Sequence, residues 1–236
     1  MSPHLQAPDA ILLDLDGTLV DSAYAQAAAW QEALARHGLP ISGWRIHRAL
    51  GRGAAALRDE LERAGHAPPT AAVVEQVRAA HTAALDRFLA HAQPCPGGHE
   101  LLAAAARLRL PLAVVTGGHR DMAERLLEAA FGARAWTLVV AGADAAAKPA
   151  PDALQLAAER LGVAAGDCWY VGDSVWDMQA ARAAGAAGVG VRSGGWQAEE
   201  LREAGAHAVF DHLAGVVEAL LACVAPAPAA AAGGRA

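Results

Sequence analysis

The sequence predicts an α/β fold: a parallel sheet covered on both faces by helices, with a block of further helices inserted after the first strand. Three observations predict it. Six short apolar or β-branched runs recur along the chain, helical patterns separate the later ones, and the stretch from about residue 22 to residue 93 holds no convincing strand. Strands alternating with helices at this spacing call for parallel pairing, because each crossover must return across a face of the sheet.

The first expected strand, Ala10 to Leu13, breaks into Asp14-Leu15-Asp16-Gly17-Thr18-Leu19, where Gly17 frees the backbone to turn and Thr18 can hold the turn. The Asp21-Ser22 pair is expected to cap the next helix. Residues 22–93 read as helices broken at Gly38 to Pro40, Gly51 to Gly53 and Gly65 to Pro69. Pro94-Cys95-Pro96-Gly97-Gly98 is expected as the return hinge, matching an outgoing hinge just after Asp21. A helix is expected near Glu100 to Leu108, then a strand Leu112 to Val115 ending in Thr116-Gly117-Gly118, a helix near Arg120 to Ala130 and a strand Leu138 to Val140. Lys148-Pro149-Ala150-Pro151-Asp152 opens the next helix, expected over Ala153 to Leu161, with proline and an acid at its start. The strand expected at Cys168 to Val171 leads into Gly172-Asp173-Ser174, and the pattern closes with a helix near Met178 to Ala184, a strand Gly188 to Val191, a helix Ala198 to Ala204 and a strand Ala208 to Phe210. The expected organisation is therefore an α/β core over residues 1–21 and 94–224, a helical insertion over 22–93, and an Ala/Pro/Gly-rich tail over 225–236 expected to be disordered.

Composition narrows the function classes. The 236 residues carry a formal net charge of −6, and no basic stripe with interleaved aromatics appears, which argues against a nucleic-acid partner. An anionic substrate would have to be attracted by local cations, pointing to a metal ion as well as a positioned side chain. Cys95, Cys168 and Cys223 lie far apart with no C-x-x-C pair, against both a disulfide framework and a zinc site. Met1 to Ala10 lacks the pattern of a signal peptide and no uncharged apolar run is long enough to span a bilayer, so the expectation is a soluble cytoplasmic protein with no membrane partner. Of 19 lysines and arginines only Lys148 is a lysine, which suggests a site that needs a compact ammonium rather than a planar fork.

Two carboxylates at the end of a buried strand have the make-up of a phosphoryl-transfer site. One can attack phosphorus to form an acyl phosphate, and the other, two positions on, can protonate the leaving oxygen and then activate water. An isolated D-x-D is more often a strand-end cap, so the decision rests on the rest of the chain. Open parallel sheets bind ligands beyond the carboxyl ends of their strands, where Asp14, Thr116, Lys148 and Asp173 would all fall.

In order along the chain stand Asp14-x-Asp16-x-Thr18, Val114-Val115-Thr116-Gly117-Gly118, Lys148-Pro149 and Val171-Gly172-Asp173-Ser174-x-x-Asp177. Over residues 10 to 215 this resembles the haloacid dehalogenase superfamily, specifically its phosphatases with a helical cap inserted after the first strand of a three-layer Rossmann-like core. Trp44-Arg45-Ile46-His47-Arg48, Gly172 to Met178 and Ser193-Gly194-Gly195 resemble the phosphoglycolate phosphatase-like members. The resemblance implies Asp14 as nucleophile, Asp16 as acid and then base, Thr116 and Gly117 as phosphate contacts, and Lys148 as the cation neutralising charge between Asp14 and the phosphoryl group. It also implies Mg²⁺ held by Asp14, the Asp16 carbonyl and Asp173, with Asp177 on a metal-bound water or on Lys148. Gly117-Gly118 follows Thr116 where relatives are expected to carry a small polar residue, so one contact is missing or comes from backbone.

The insertion is expected to close over a small phosphorylated metabolite and read its non-phosphate end. Arg45, His47, Arg48 and Arg52 form a cationic cluster that could meet a substrate carboxylate, which favours 2-phosphoglycolate. The other reading is a solvated helix face with Trp44 packed inside; Arg52, in a glycine turn, is the strongest candidate. Trp176 and Trp196 are read as packing residues. The competing functions are a β-phosphoglucomutase-like phosphosugar mutase, disfavoured because Arg52-Gly53-Ala54-Ala55-Ala56-Leu57 lacks the expected serine and lysine, and a non-catalytic phosphometabolite-binding protein. A monomer or homodimer is expected.

Overall fold

The computed structural model describes residues 5–132 and 136–224. The tail expected over 225–236 lies outside the described residues. Six strands form one sheet in the order β3-β2-β1-β4-β5-β6, every pairing parallel. They are β1 (Ala10–Leu13), β2 (Leu112–Val115), β3 (Leu138–Val140), β4 (Cys168–Gly172), β5 (Ala187–Val191) and β6 (Ala208–Phe210). All six expected strands form. The chain runs outward from β1 to β3 on one side and then returns to place β4 against the other edge of β1, so the crevice beyond β1 and β4 is the topological switch point of the sheet.

Side chains alternate between the two faces of a strand, and this alternation separates two cores. Ile11, Leu13, Val114, Trp169 and Val171 pack under α5 (Gly98–Leu108), α6 (Arg120–Phe131) and α10 (Leu213–Val224). Ala10, Leu12, Ala113, Val115 and Tyr170 pack under α7 (Asp152–Leu161) and α8 (Val175–Ala184), where Ala153, Ala157, Ala158, Ala180 and Ala181 supply a small-residue surface. The remaining core helix, α9 (Ala198–Ala204), covers β5 and β6 through Leu201 and Ala204. Helix α10 has no counterpart in the expected pattern, because Leu213–Val224 is so rich in alanine, leucine and valine that no polar stripe marks its period.

Between β1 and α5 lie α1 (Ala23–Arg36), α2 (Gly43–Ala49), α3 (Gly53–Arg63) and α4 (Ala71–Leu89), joined at the three glycine breaks. They share a core of their own around Leu34, Ile41, Ile46, Leu57, Leu61 and Val77. The outgoing and returning segments meet: Asp21 N–H donates to Gln93 O at 2.9 Å and Cys95 N–H to Leu19 O at 2.8 Å. Elsewhere α4 touches α6, with Arg125 Nη1 at 2.8 Å from Asp86 Oδ1. Among the described residues no helix is long and apolar enough to cross a membrane.

Candidate active site

Asp14 follows directly on β1, and its backbone N–H donates to Val171 O at 2.9 Å, which ties it to the end of β4. The single lysine reaches it from the loop after β3. Lys148 is 4% exposed, and its Nζ lies 2.5 Å from Asp14 Oδ1 and 2.6 Å from Asp177 Oδ1. Tyr170 on β4 donates its hydroxyl to the same Asp177 oxygen at 2.7 Å. The second Asp177 oxygen accepts from Ser174 N at 3.0 Å and Ser174 Oγ at 2.5 Å, completing the capping box that starts α8. Both oxygens of Asp177 are thus already saturated by donors that aim Lys148 at Asp14.

Asp173 accepts from Thr18 Oγ1 at 3.1 Å. It needs glycine opposite it, since a Cβ on Gly194 would stand 1.7 Å from Asp173 Oδ2. One oxygen each from Asp14, Asp173 and Asp177 lie within 4.8 Å of one another. Three buried carboxylates share one buried ammonium here, and among the described residues Asp173 has no ion pair. An oxygen-only donor set with surplus negative charge fits a hard divalent cation.

The half-buried Asp16 is held from the other side: its Oδ1 accepts from Ser22 Oγ at 2.6 Å and from Gln26 Nε2 at 3.0 Å. The expected cap therefore does not form. Ser22 stands at the N-cap of α1 without capping it, Asp21 is exposed, and the hydroxyl is drawn to Asp16 because a carboxylate is the stronger acceptor. Thr116 lies at the end of β2 with its Oγ1 accepting from Gly118 N at 3.1 Å, so that N–H is taken up inside the turn. Asp14, Asp16, Thr116, Gly117, Asp173 and Asp177 line one cavity of about 750 Å³ between the sheet end and the four inserted helices.

A family model described as haloacid dehalogenase-like hydrolase matches residues 8–185. The chain belongs to the haloacid dehalogenase-like hydrolases. It is 33% identical over 224 residues to a phosphoglycolate phosphatase of Pectobacterium atrosepticum, covering 91% of this chain and 93% of that protein. A phosphoglycolate phosphatase of Rhodospirillum rubrum is 36% identical over 218 residues, 88% of each chain. Among solved structures, a hydrolase from Pseudomonas syringae superposes with a TM-score of 0.83 at 34% identity, over 89% of this chain and 96% of that one. These relatives support a phosphatase.

The inserted helices of this hydrolase correct the expected cationic cluster. Arg45 turns away to Glu60 at 3.4 Å and lies 5.3 Å from the centre of the Trp44 ring. Trp44 is 66% exposed, and Ile46 is the residue of α2 that is wholly buried. Arg48 stacks on Trp196 at 3.8 Å and pairs with Glu200 at 2.7 Å, while Trp176 Nε1 donates to Arg48 O at 2.9 Å. Through Arg48, these contacts to Trp176, Trp196 and Glu200 clasp α2 to the α8 and α9 side of the sheet. His47 lines the cavity, yet its Nε2 lies 2.8 Å from Gly194 O and its ring stacks on Tyr24. Arg52 remains: it lines the cavity, with its guanidinium 4.7 Å from the Trp176 ring centre and only a 3.4 Å contact to Asp59. Its turn lies against the loop after β2, since a Cβ on Gly117 would meet Gly51 O at 3.2 Å. Sequence reasoning missed Gln26 and Tyr170, whose partners Asp16 and Asp177 lie 10 and 7 positions away, and gave Thr18 and Gly194 no place beside Asp173, which lies 155 positions from Thr18.

Burial pushes Asp14 up to about 7, against the pull of Lys148 and with the push of Asp177. Asp173 is raised well above the usual carboxylate range by burial and then by Asp14 and Asp177. Burial also raises Asp177, but Lys148 and its hydrogen bonds bring it below its ordinary value. Burial disfavours the charge on Lys148, yet Asp14 and Asp177 hold its pKa well above the ordinary range. The metal-free folded state thus retains protons on Asp14 and Asp173 that the unfolded chain releases near 3.8. Their contribution to stability is fully present below that value and is lost as pH rises through about 7 and beyond. A divalent cation such as Mg²⁺ at a hundredfold excess over its Kd should add about 2.7 kcal/mol, or on the order of 5 °C in Tm. Thermal melts of the metal-free protein with and without Mg²⁺ should show a larger rise at pH 8 than at pH 5.5; an equal rise at both would contradict this charge assignment.

Proposed function

We propose that this hydrolase removes phosphate from a small phosphomonoester through an aspartyl-phosphate on Asp14, with Mg²⁺ as the divalent ion and 2-phosphoglycolate as the favoured substrate. The observation that carries the reading is the convergence of Asp14, Asp16, Thr116 and Asp173 on one cavity, with Lys148 buried behind Asp14. Asp14 is the nucleophile: an oxygen of its carboxylate attacks phosphorus while the bond to the substrate alkoxide breaks, and the fixed Lys148 ammonium works against the burial that favours a proton there and aims the carboxylate. Asp16 gives its proton to the departing alkoxide. Burial raises its pKa despite the Ser22 and Gln26 hydrogen bonds, which favours the protonated acid at that step. The same carboxylate then takes a proton from water as that water attacks the phosphorus, releasing inorganic phosphate and regenerating Asp14.

Asp14 and Asp173, together with the Asp16 carbonyl, would hold Mg²⁺; Asp177, with both oxygens already engaged, acts through Lys148. When bound, the ion supplies charge neutralisation between two approaching anions. Thr116 Oγ1 keeps its own proton to donate to a phosphate oxygen, and Gly117, which lines the same cavity, is the second phosphate contact. The reading treats residues 22–93 as a cap over a core of residues 1–21 and 94–224, and Arg52 as the contact for the substrate carboxylate. The identity to phosphoglycolate phosphatases at 33% and 36% supports that substrate.

The test is Mg²⁺-dependent phosphate release over 2-phosphoglycolate, sugar phosphates and nucleotides. Asp14→Asn should lower turnover by at least about 10⁴-fold while circular dichroism stays native. Turnover surviving in a folded Asp14→Asn would refute the nucleophile, conversion of a sugar 1-phosphate to its 6-phosphate without net release would identify a mutase, and binding of phosphate without turnover would identify a sensor. Arg52→Ala should raise KM for 2-phosphoglycolate on the order of tenfold or more, the worth of a charge-assisted hydrogen bond. Ethyl phosphate, which lacks the carboxylate, should be unaffected; an equal loss on both esters would remove Arg52 from substrate recognition.

A further inference from the structure

We infer that His81 and Gln26, both on the inserted helices, form a hydrogen-bond chain that orients Asp16 for proton transfer, so that these helices control the acid–base step as well as access. This rests on the phosphatase reading of Asp16. His81 Nε2 lies 2.9 Å from Gln26 Oε1, and Gln26 Nε2 lies 3.0 Å from Asp16 Oδ1.

The direction of the chain follows from donor and acceptor chemistry. Asp16 Oδ1 accepts whether the carboxyl is ionised or carries its proton on Oδ2, so Gln26 presents its NH₂ to Asp16. Its carbonyl oxygen then faces His81, which must carry its proton on Nε2. Burial, with a smaller push from His119, lowers the His81 pKa to about 4, so near neutral pH the ring is uncharged and the Nε2–H tautomer is the one that completes the chain. The ring is held in place by stacking on Trp30, with centroids 3.9 Å apart and planes 15° from parallel.

Gln26 and Trp30 belong to α1 and His81 to α4, so the chain passes between two helices of the insertion before it reaches Asp16. Ser22 adds a second donor to the same Asp16 oxygen at 2.6 Å. With Oδ1 occupied twice, proton transfer is assigned to Oδ2. Without the His81 proton the Gln26 amide is free to turn its oxygen to Asp16, and the carboxyl loses the partner that fixes its rotamer. Gln26 and His81 are accordingly positioning residues, and their effect should follow the leaving group's need for a proton.

The experiment compares 2-phosphoglycolate, whose alkoxide needs a proton, with p-nitrophenyl phosphate, whose phenolate leaves without one. His81→Phe keeps a ring against Trp30 and removes the donor; His81→Gln restores an N–H near the same place. For His81→Phe and Gln26→Leu, kcat/KM on 2-phosphoglycolate, which reports phosphoryl transfer to Asp14 and not the hydrolysis step common to both esters, should fall on the order of tenfold or more, part of the range for general acid–base catalysis. On p-nitrophenyl phosphate it should change less than about threefold, and His81→Gln should recover most of the loss. Equal losses on both esters, or none on either, would overturn the inference. Wild type silent on both would instead overturn the phosphatase reading. The chain is tested independently of turnover by ¹⁵N NMR of the metal-free full chain at pH 7: a His81 Nε2–H protected from exchange, and losing that protection in Gln26→Leu, supports it, whereas an Nδ1–H tautomer in wild type overturns it.

Discussion

One buried ammonium among several buried carboxylates is the constraint on which the site depends. Lys148 bridges Asp14 and Asp177, and Asp173 stands beside them with only a hydroxyl donor. Removing charge from water is costly unless each charge is paired and hydrogen-bonded, and a single cation cannot balance three anions. The imbalance is relieved either by protonation, which is the direction in which Asp14 and Asp173 are pushed, or by a divalent cation. The same shortage of positive charge that strains the metal-free fold therefore prepares the site for a metal and a phosphate. Asp177 is the exception that makes this work: four donors hold it ionised, and it in turn fixes the lysine.

The sheet supplies the rigidity this arrangement needs. Asp14, Thr116 and Asp173 follow three adjacent strands, β1, β2 and β4, whose register is set by continuous parallel pairing. Lys148 comes from a loop, but its buried ion pairs leave it little freedom. The inserted helices are held differently. They are joined to the sheet through the paired segments around Leu19 to Asp21 and Gln93 to Cys95, clasped by Arg48, Trp176 and Trp196, and touched by α6. Polar and aromatic contacts of this kind, half exposed, can open at modest cost, which suits the covering role proposed for these helices.

How much was legible depended on whether a signal was local. The strands could be read because each is a compact β-branched or apolar run between turn residues, and Asp14, Asp16, Thr116, Lys148, Asp173 and Asp177 because their spacing relative to those strands is itself the motif. Helix α10 was not legible, since an apolar face all round leaves no period to detect. The cap cluster misled for the opposite reason: Arg45, His47 and Arg48 sit close in sequence, but successive helical positions point in different directions, so one meets Glu60, one Gly194 and one Trp196 with Glu200. Gln26 carried no signal, because its partners, Asp16 in the loop after β1 and a histidine 55 positions away on another helix, meet it only in the fold.

The sequence by itself determined the fold class, the order of the strands and helices along the chain, and the set of oxygen and ammonium groups gathered at the strand ends, because hydrophobic period, turn chemistry and motif spacing are properties of neighbouring residues. Which carboxylate each donor serves was decided only by the tertiary structure. Ser22 turns from capping a helix to holding Asp16, Asp177 gives both oxygens to Lys148, Tyr170 and Ser174, and Arg52 stays at the cavity while Arg45 and Arg48 leave it. Those choices come from burial: once water is excluded, every charged group takes the nearest strong partner in space, whatever its distance along the chain.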